Sequence, residues 1–247
     1  MNPLGYIISM RRAEERFEHV QRVIAKCPIA CHRWDAVDGR LLSDASVADV
    51  YRKGLHRPHY PFELTRGEIG CFLSHRSVWQ QIIDAGLPGA LVLEDDIDLS
   101  AGFEEAFRFG IEYAPPCSYV QFQIRDVIGG GQELAVSGGY RLVRPEVAPV
   151  RAMAQWITRQ AAQRLVEATR VFDRPIDTFV QMRWLHGVDV LVLTPPRVRE
   201  ISGELGGSVI NAQKRKRFQL PQVSRDWKRF VYRYQVRDWC RRSAAAA

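Results

Sequence analysis

The sequence predicts an α/β protein with a mainly parallel central sheet. Short apolar runs of strand length, Leu4–Ser9, Ala90–Leu93 and Val188–Leu193, are separated by stretches with helical spacing. Strands alternating with helices are joined by crossovers, which favours parallel pairing. With 247 residues, 46% hydrophobic and 26% charged, the chain can bury such a sheet, and its composition excludes wholesale disorder, collagen and coiled coil.

Leu4–Ser9 opens a β-α unit, because Phe17, Val20, Val23 and Ile24 follow at helical spacing between Arg11 and Lys26. Ile29–Val37 is a second apolar stretch, ended by the turn signal Asp38-Gly39. Residues 55–63 carry two prolines and two histidines without a period and read as a surface loop. Thr65 and Glu68 have capping-box spacing, so a helix starts there; Ile69, Leu73, Trp79, Ile82 and Ile83 form its buried stripe, and Gly86 with Pro88 stops it. Ala90–Leu93 is too short for a helix and reads as a buried central strand running straight into Glu94, Asp95, Asp96 and Asp98. Helical spacing returns over 101–113. Residues 119–124, 140–143 and 154–157 read as strands, and Thr158 caps a helix over 159–170. The last strand, Val188–Leu193, closes at Pro195-Pro196.

The net charge of +7 is concentrated at one end. Residues 214–242 hold eleven Lys or Arg against Asp226 and Asp238, so the body, residues 1–213, is slightly acidic and the tail, 214–247, strongly basic. Trp227, Phe230, Val231 and Tyr234 sit among these charges at helical spacing. Two readings of the tail stand: an amphipathic helix lying on an anionic membrane, or a helix packed on the body with a solvated charged face. No base-reading or RNA-binding motif accompanies it, so no nucleic-acid partner is expected. Five scattered cysteines form no disulfide framework, and Cys27 with Cys31 lacks the second pair of a zinc site. No apolar run reaches the roughly 18 residues of a spanning helix, and Met1–Arg12 lacks a signal-peptide pattern. The expected location is cytoplasmic, with peripheral contact on the inner face of the cytoplasmic membrane through the tail.

Two clusters carry chemistry. In an open α/β sheet ligands bind outside the carboxyl ends of strands, where crowded carboxylates repel one another unless a cation joins them. Glu94, Asp95, Asp96 and Asp98 therefore suit Mg²⁺ or Mn²⁺ bridging nucleotide phosphates, or else form a solvated strand-to-loop turn. Gly67 and Gly70, three apart at a helix start and followed by Ser74 and His75, admit either another backbone or a diphosphate. The alternative is a tightly packed helix with a satisfied histidine.

The succession of YIIS with Glu15-Arg16 after it, RWDAVDG, GEIGCFLSHRSVW, ALVLEDDIDL, and AQWITRQAAQRLV followed by RPID resembles glycosyltransferase family 25, the lipooligosaccharide biosynthesis galactosyltransferases and their relatives, over about residues 4–200. Two places depart from the family pattern: Ser9-Met10 stands where an Asn-Leu pair is usual, and Val150-Arg151 near a usual Gly-Thr pair. The resemblance implies a GT-A-like (Rossmann-like) nucleotide-sugar-binding fold, a UDP-sugar donor, an acidic metal motif and a saccharide or glycolipid acceptor. It puts Asp96, with Asp98, on Mn²⁺ or Mg²⁺, and Glu94 and Asp95 on ribose or supporting contacts. Gly67, Glu68, Gly70, Ser74 and His75 fall on the donor side. Arg16 either steadies the nucleotide or is an ordinary exposed helix charge. Asp177 in RPID is assigned to acceptor binding or the general base, with Asp189 a second catalytic candidate and His186 a packing or surface histidine. The implied reaction is inverting transfer of a hexose, galactose from UDP-galactose favoured, onto lipooligosaccharide or lipopolysaccharide. Two other classes remain: metal-dependent nucleotidyl or phosphoryl transfer, for which no Walker-type glycine loop is present, and a non-catalytic saccharide or nucleic-acid binding module. Residues 55–64 or 128–132 are candidate lids.

Overall fold

The computed structural model describes residues 2–125, 130–204 and 222–245. Among these the strands are, in chain order, β1 (Leu4–Ser9), β2 (Cys31–Asp35), β3 (Gly89–Glu94), β4 (Ile97–Leu99), β5 (Ser118–Phe122), β6 (Gly131–Ser137), β7 (Tyr140–Pro145), β8 (Ala154–Thr158), β9 (Asp189–Thr194) and β10 (Val198–Glu200). The helices are α1 (Phe17–Lys26), α2 (Asp44–Val50), α3 (Arg66–Asp84), α4 (Phe103–Glu112), α5 (Arg159–Ala168), α6 (Ile176–Val180), α7 (Arg183–His186) and α8 (Gln222–Ala245). Eight strands form one sheet in the order β2-β1-β3-β8-β5-β9-β7-β6, and β4 pairs with β10 separately.

The sheet is mixed, which corrects the expectation of a mainly parallel one. β2, β1 and β3 run parallel, as do β5 and β9, but β8 is antiparallel to both β3 and β5. The β6–β7 hairpin adds antiparallel pairs at the far edge. The cause is local to the chain after β5, which does not return through a crossover helix. It turns back through Gly138-Gly139, at φ of +56° and +81°, the left-handed pair that a two-residue hairpin demands. β7 then ends at the amino edge, with Arg144 beside Asp189, and residues 146–153 carry the chain back to the carboxyl edge, where it enters β8 so that Ala154 pairs with Leu93. β1, β3, β5 and β9 still share one direction, and their carboxyl ends line one edge.

Helices cover both faces. On β3, Ala90 and Val92 pack against Phe72, Trp79 and Ile82 of α3 and Leu165 of α5, while Leu91 and Leu93 pack against Val20 of α1 and Phe107 of α4. Full burial of each such leucine contributes about 1.5–3 kcal/mol, which is why this strand reads as unbroken apolar sequence. α3 begins where expected. Thr65 and Glu68 cap one another reciprocally, and the chain leaves through Gly86 at φ +62°.

The C-terminal helix packs on the body through one stripe and leaves another uncovered. Tyr232, Val236 and Cys240 are buried against Tyr60, Val147 and Trp184, whereas Trp227, Phe230 and Tyr234 are 65%, 62% and 69% exposed. The 213/214 boundary and the run Lys214–Arg217 lie outside the described residues. No described helix is long and apolar enough to cross a membrane. An entirely buried ion pair locks α8 down. Arg174 donates to Asp173 at 2.7 Å, to the Tyr232 hydroxyl at 2.9 Å, and to the carbonyls of His56 and Pro58 at 2.9 and 3.0 Å. Removing one member strands the other charge in the core, so Arg174→Met should cost about 3–5 kcal/mol in urea unfolding, and a loss below about 1 kcal/mol would contradict this anchoring role.

Candidate active site

β1 and β3 end side by side, and β3 passes to β4 through the two-residue turn Asp95-Asp96. The turn is pinned from two sides. His19 Nε2 of α1 lies 2.8 Å from the Ile97 carbonyl, and the Ile201 amide donates to the Asp96 carbonyl at 2.8 Å. Each of the three carboxylates then meets different company. Asp95 accepts from Ser9 Oγ at 2.8 Å and forms an ion pair with the buried Arg16. Glu94 Oε1 lies 3.0 Å from His75 Nε2. The Gln155 amide nitrogen, 3.1 Å from Nδ1, donates to it, which leaves the ring proton on Nε2 for Glu94. Asp96 is left over: its Oδ1 is buried and has no hydrogen-bond partner. Burial first, and then the charges of Glu94 and Asp95, push its carboxyl up to about 7 against the opposing pull of Arg16.

An unpartnered buried carboxylate oxygen close to two further carboxylates fits a hard divalent cation. Cys71 Sγ, His75 and Glu94 also offer ligand atoms within 4.8 Å of one another, a second grouping able to hold a metal ion. Burial and the Glu94 charge hold the Cys71 thiol well above its ordinary value, which disfavours the thiolate a softer metal needs.

Two clefts meet at this turn. The first, about 140 Å³, lies between the β1 end and residues 36–40, with Arg16, Gly67 and His75 on its walls. The second, about 550 Å³, is lined by Arg151, Asp177, Thr178, Glu200 and Arg229. Cys71, Glu94 and Asp96 face both. The wall of the second cleft is strained: Arg151 sits at φ +87°, a conformation that costs a non-glycine residue about 1–3 kcal/mol. It is held there because its amide donates to Asp177 Oδ2 at 3.1 Å and its guanidinium pairs with Glu200.

The expected site residues divide three ways. Arg16, Gly67, His75, Glu94, Asp95 and Asp96 line the first cleft, and Arg16 is no exposed helix charge. Gly70 and Ser74 build its wall from behind. A Cβ on Gly70 would lie 2.6 Å from the Val37 carbonyl, so the glycine admits another backbone, and Ser74 Oγ accepts from the Val37 amide at 2.8 Å. Glu68 caps α3 and faces the second cleft, where Asp177 also lies. Two candidates are not brought in. Asp98 pairs with Lys26 at 2.7 Å and Arg199 at 3.7 Å on the outer side of β4. Asp189 starts β9 at the opposite, amino-terminal edge, clamped by Arg144 through both oxygens at 2.6 Å. His186 is a packing residue; burial lowers its imidazole to about 4. Sequence reasoning missed Arg151, Glu200 and Cys71. Only Cys71 carried a signal, one helical turn before His75 and so on the same face of α3.

The α/β sheet thus presents an acidic turn to two adjoining clefts at the carboxyl ends of its strands, where ligands of such sheets bind. Residues 3–123, just under half of the chain, match the family described as Glycosyltransferase family 25 (LPS biosynthesis protein), and over that stretch the chain is glycosyltransferase family 25 sequence. It is 37% identical over 106 residues to Procollagen galactosyltransferase 1 of Danio rerio and 36% identical over 106 residues to Procollagen galactosyltransferase 2 of Homo sapiens. It is also 34% identical over 110 residues to the Inactive glycosyltransferase 25 family member 3 of Homo sapiens. These stretches cover 42–43% of this chain and only 16–18% of each relative.

The Asp96 environment has a direct consequence for stability. A carboxyl at about 7 in the folded protein keeps a proton that the unfolded chain, near 3.9, has already lost. Metal-free stability should therefore fall as pH rises from about 4 to 7 and then level off. Asp96→Asn removes this dependence. In EDTA the variant should match the wild type at pH 4 and exceed it by about 1–3 kcal/mol at pH 8 in urea unfolding; parallel curves would contradict the assignment.

Proposed function

We propose that this protein transfers a hexose from a UDP-sugar to a saccharide hydroxyl with inversion at the anomeric carbon. The observation that carries the reading is Asp96, its Oδ1 buried and unpartnered, at the junction of two clefts. The first cleft takes the nucleotide diphosphate, with Arg16 held by Asp95 on its wall. The second takes the acceptor beside Asp177. Asp177 accepts backbone amides at 2.7 and 3.1 Å, which hold its carboxylate facing the second cleft, where it orients or deprotonates a sugar hydroxyl. The hydroxyl oxygen attacks the anomeric carbon, its proton passes to Asp177, and the bond to the diphosphate oxygen breaks. Mn²⁺ or Mg²⁺ held by Asp96 and Glu94 would supply charge neutralisation to the leaving diphosphate. Galactose is the favoured sugar because the named active relatives are galactosyltransferases, and the family description favours a lipopolysaccharide-type acceptor.

The family also contains relatives named inactive, so turnover is the first test. UDP release from a panel of nucleotide sugars, followed as slow donor hydrolysis, should appear with UDP-galactose and fall with EDTA. Asp96→Asn should reduce it by about two orders of magnitude. Near-normal release from the variant at saturating metal would overturn the role of Asp96. Silence across the panel would favour a saccharide-binding relative without activity.

The exposed aromatic stripe of α8 supports a membrane contact for the same enzyme. Trp227, Phe230 and Tyr234, with Lys228 and Arg233 beside them, have the composition of an interfacial anchor. Flotation with phosphatidylglycerol vesicles should be lost in the Trp227→Ala/Phe230→Ala/Tyr234→Ala variant; equal flotation would count against the contact.

A further inference from the structure

A third cleft, about 530 Å³, opens between α8 and residues 147–151 and has no part in the account so far. Its walls include Tyr60, Val147 and Pro149, and its charged lining is five arginines: Arg125, Arg151, Arg229, Arg233 and Arg237. No Asp or Glu is among the described lining residues. Three of these guanidiniums, Arg229, Arg233 and Arg237, follow one another at four-residue steps on one helix face, a spacing at which like charges destabilise a helix. Arg151 is engaged by Glu200, and Arg229 reaches Asp226 only at 3.4 Å. Among the described residues no carboxylate pairs with Arg233 or Arg237. The neighbouring Arg241 of the same row, by contrast, has Glu146.

This cleft is continuous with the second one. Tyr60, Val150, Arg151, Thr178 and Arg229 line both, so a single trough runs from Asp96 and Asp177 to Arg237. From Arg229 to Arg237 it follows α8 for about 12 Å, room for sugar units beyond the one that reacts.

We infer that the third cleft is an anion-recognising extension of the acceptor site, taking a saccharide that bears phosphate or carboxylate groups beyond the sugar that receives the hexose. Arg233 and Arg237 hold those groups, since a guanidinium fork matches the paired oxygens of either anion. Tyr60 and Pro149 supply apolar surface for sugar rings. The inference rests on the transferase reading of the second cleft.

The test is binding to the full-length chain, measured by ligand-observed NMR with glucose 6-phosphate, glucose and inorganic phosphate. Glucose 6-phosphate should bind roughly ten-fold more tightly than either glucose or phosphate, and Arg233→Gln/Arg237→Gln should weaken it by about ten-fold. Arg108→Gln, on the exposed side of α4, serves as the charge control and should change nothing. UDP affinity with Mn²⁺ should be the same in all three proteins, so loss of UDP binding or of donor hydrolysis marks failure of the transferase reading separately. Equal binding of glucose 6-phosphate and glucose, or an undiminished affinity in the double variant, would overturn the inference. Phosphate binding as tightly as the sugar phosphate would reduce the cleft to an anion site and overturn saccharide recognition. Loss of phosphatidylglycerol flotation in the double variant, with sugar-phosphate binding intact, would assign the arginines to lipid instead.

Discussion

Three adjacent carboxylates at the end of one buried strand repel one another, and the architecture of this site follows from how that repulsion is met. Arg16, carried to the spot by the turn before α1, neutralises Asp95 with help from Ser9. His75, oriented by Gln155 from the neighbouring antiparallel strand, takes Glu94. No side chain answers Asp96 Oδ1, so its oxygen is the place where an outside charge is most favourable. The fold thus leaves a buried carboxylate oxygen unsatisfied at the point where two clefts join, and the proposed cation site rests on it.

The second cleft depends on a similar trade. Arg151 holds a strained backbone so that its amide can face Asp177 and its guanidinium can face Glu200, which joins loop 149–153, α6 and β10 into one wall. The buried Asp173–Arg174 pair fixes the other end of that wall and carries α8 with it through Tyr232. A basic helix that composition alone sets apart as a tail is in this way packed on the body, and its arginines line the trough.

What could be read from the sequence was what is local. The four apolar residues before Glu94, the Thr65/Glu68 cap and the Gly86 stop all lie within a few positions of the element they define, and β3 and α3 appear where those signals put them. The direction of β8 depends on where the chain arrives from, which no window around residues 154–158 contains. Gly138-Gly139 was nevertheless a readable hairpin signal, masked because the edge strand β6 is mostly exposed and lacks a clean alternation. The acidic cluster was legible too, but not which member stays unpaired, since Asp95 is answered from 86 residues away. Asp189 could have been set aside from sequence alone. It stands at the start of its apolar run, ahead of Val190–Leu193, which places it at the amino end of a strand while ligands gather at the other.

The central claim is that Asp96 is the carboxylate held in reserve for a cation. Titration of Mn²⁺, followed by the loss of its free-ion EPR signal, tests this without any assumption about sugar or acceptor. The account predicts saturable binding by the wild type, strengthened by UDP, and a weakening of about ten-fold or more in Asp96→Asn with no comparable change in Asp98→Asn. Equal Mn²⁺ affinity in wild type and Asp96→Asn, or a greater loss in Asp98→Asn, would contradict it.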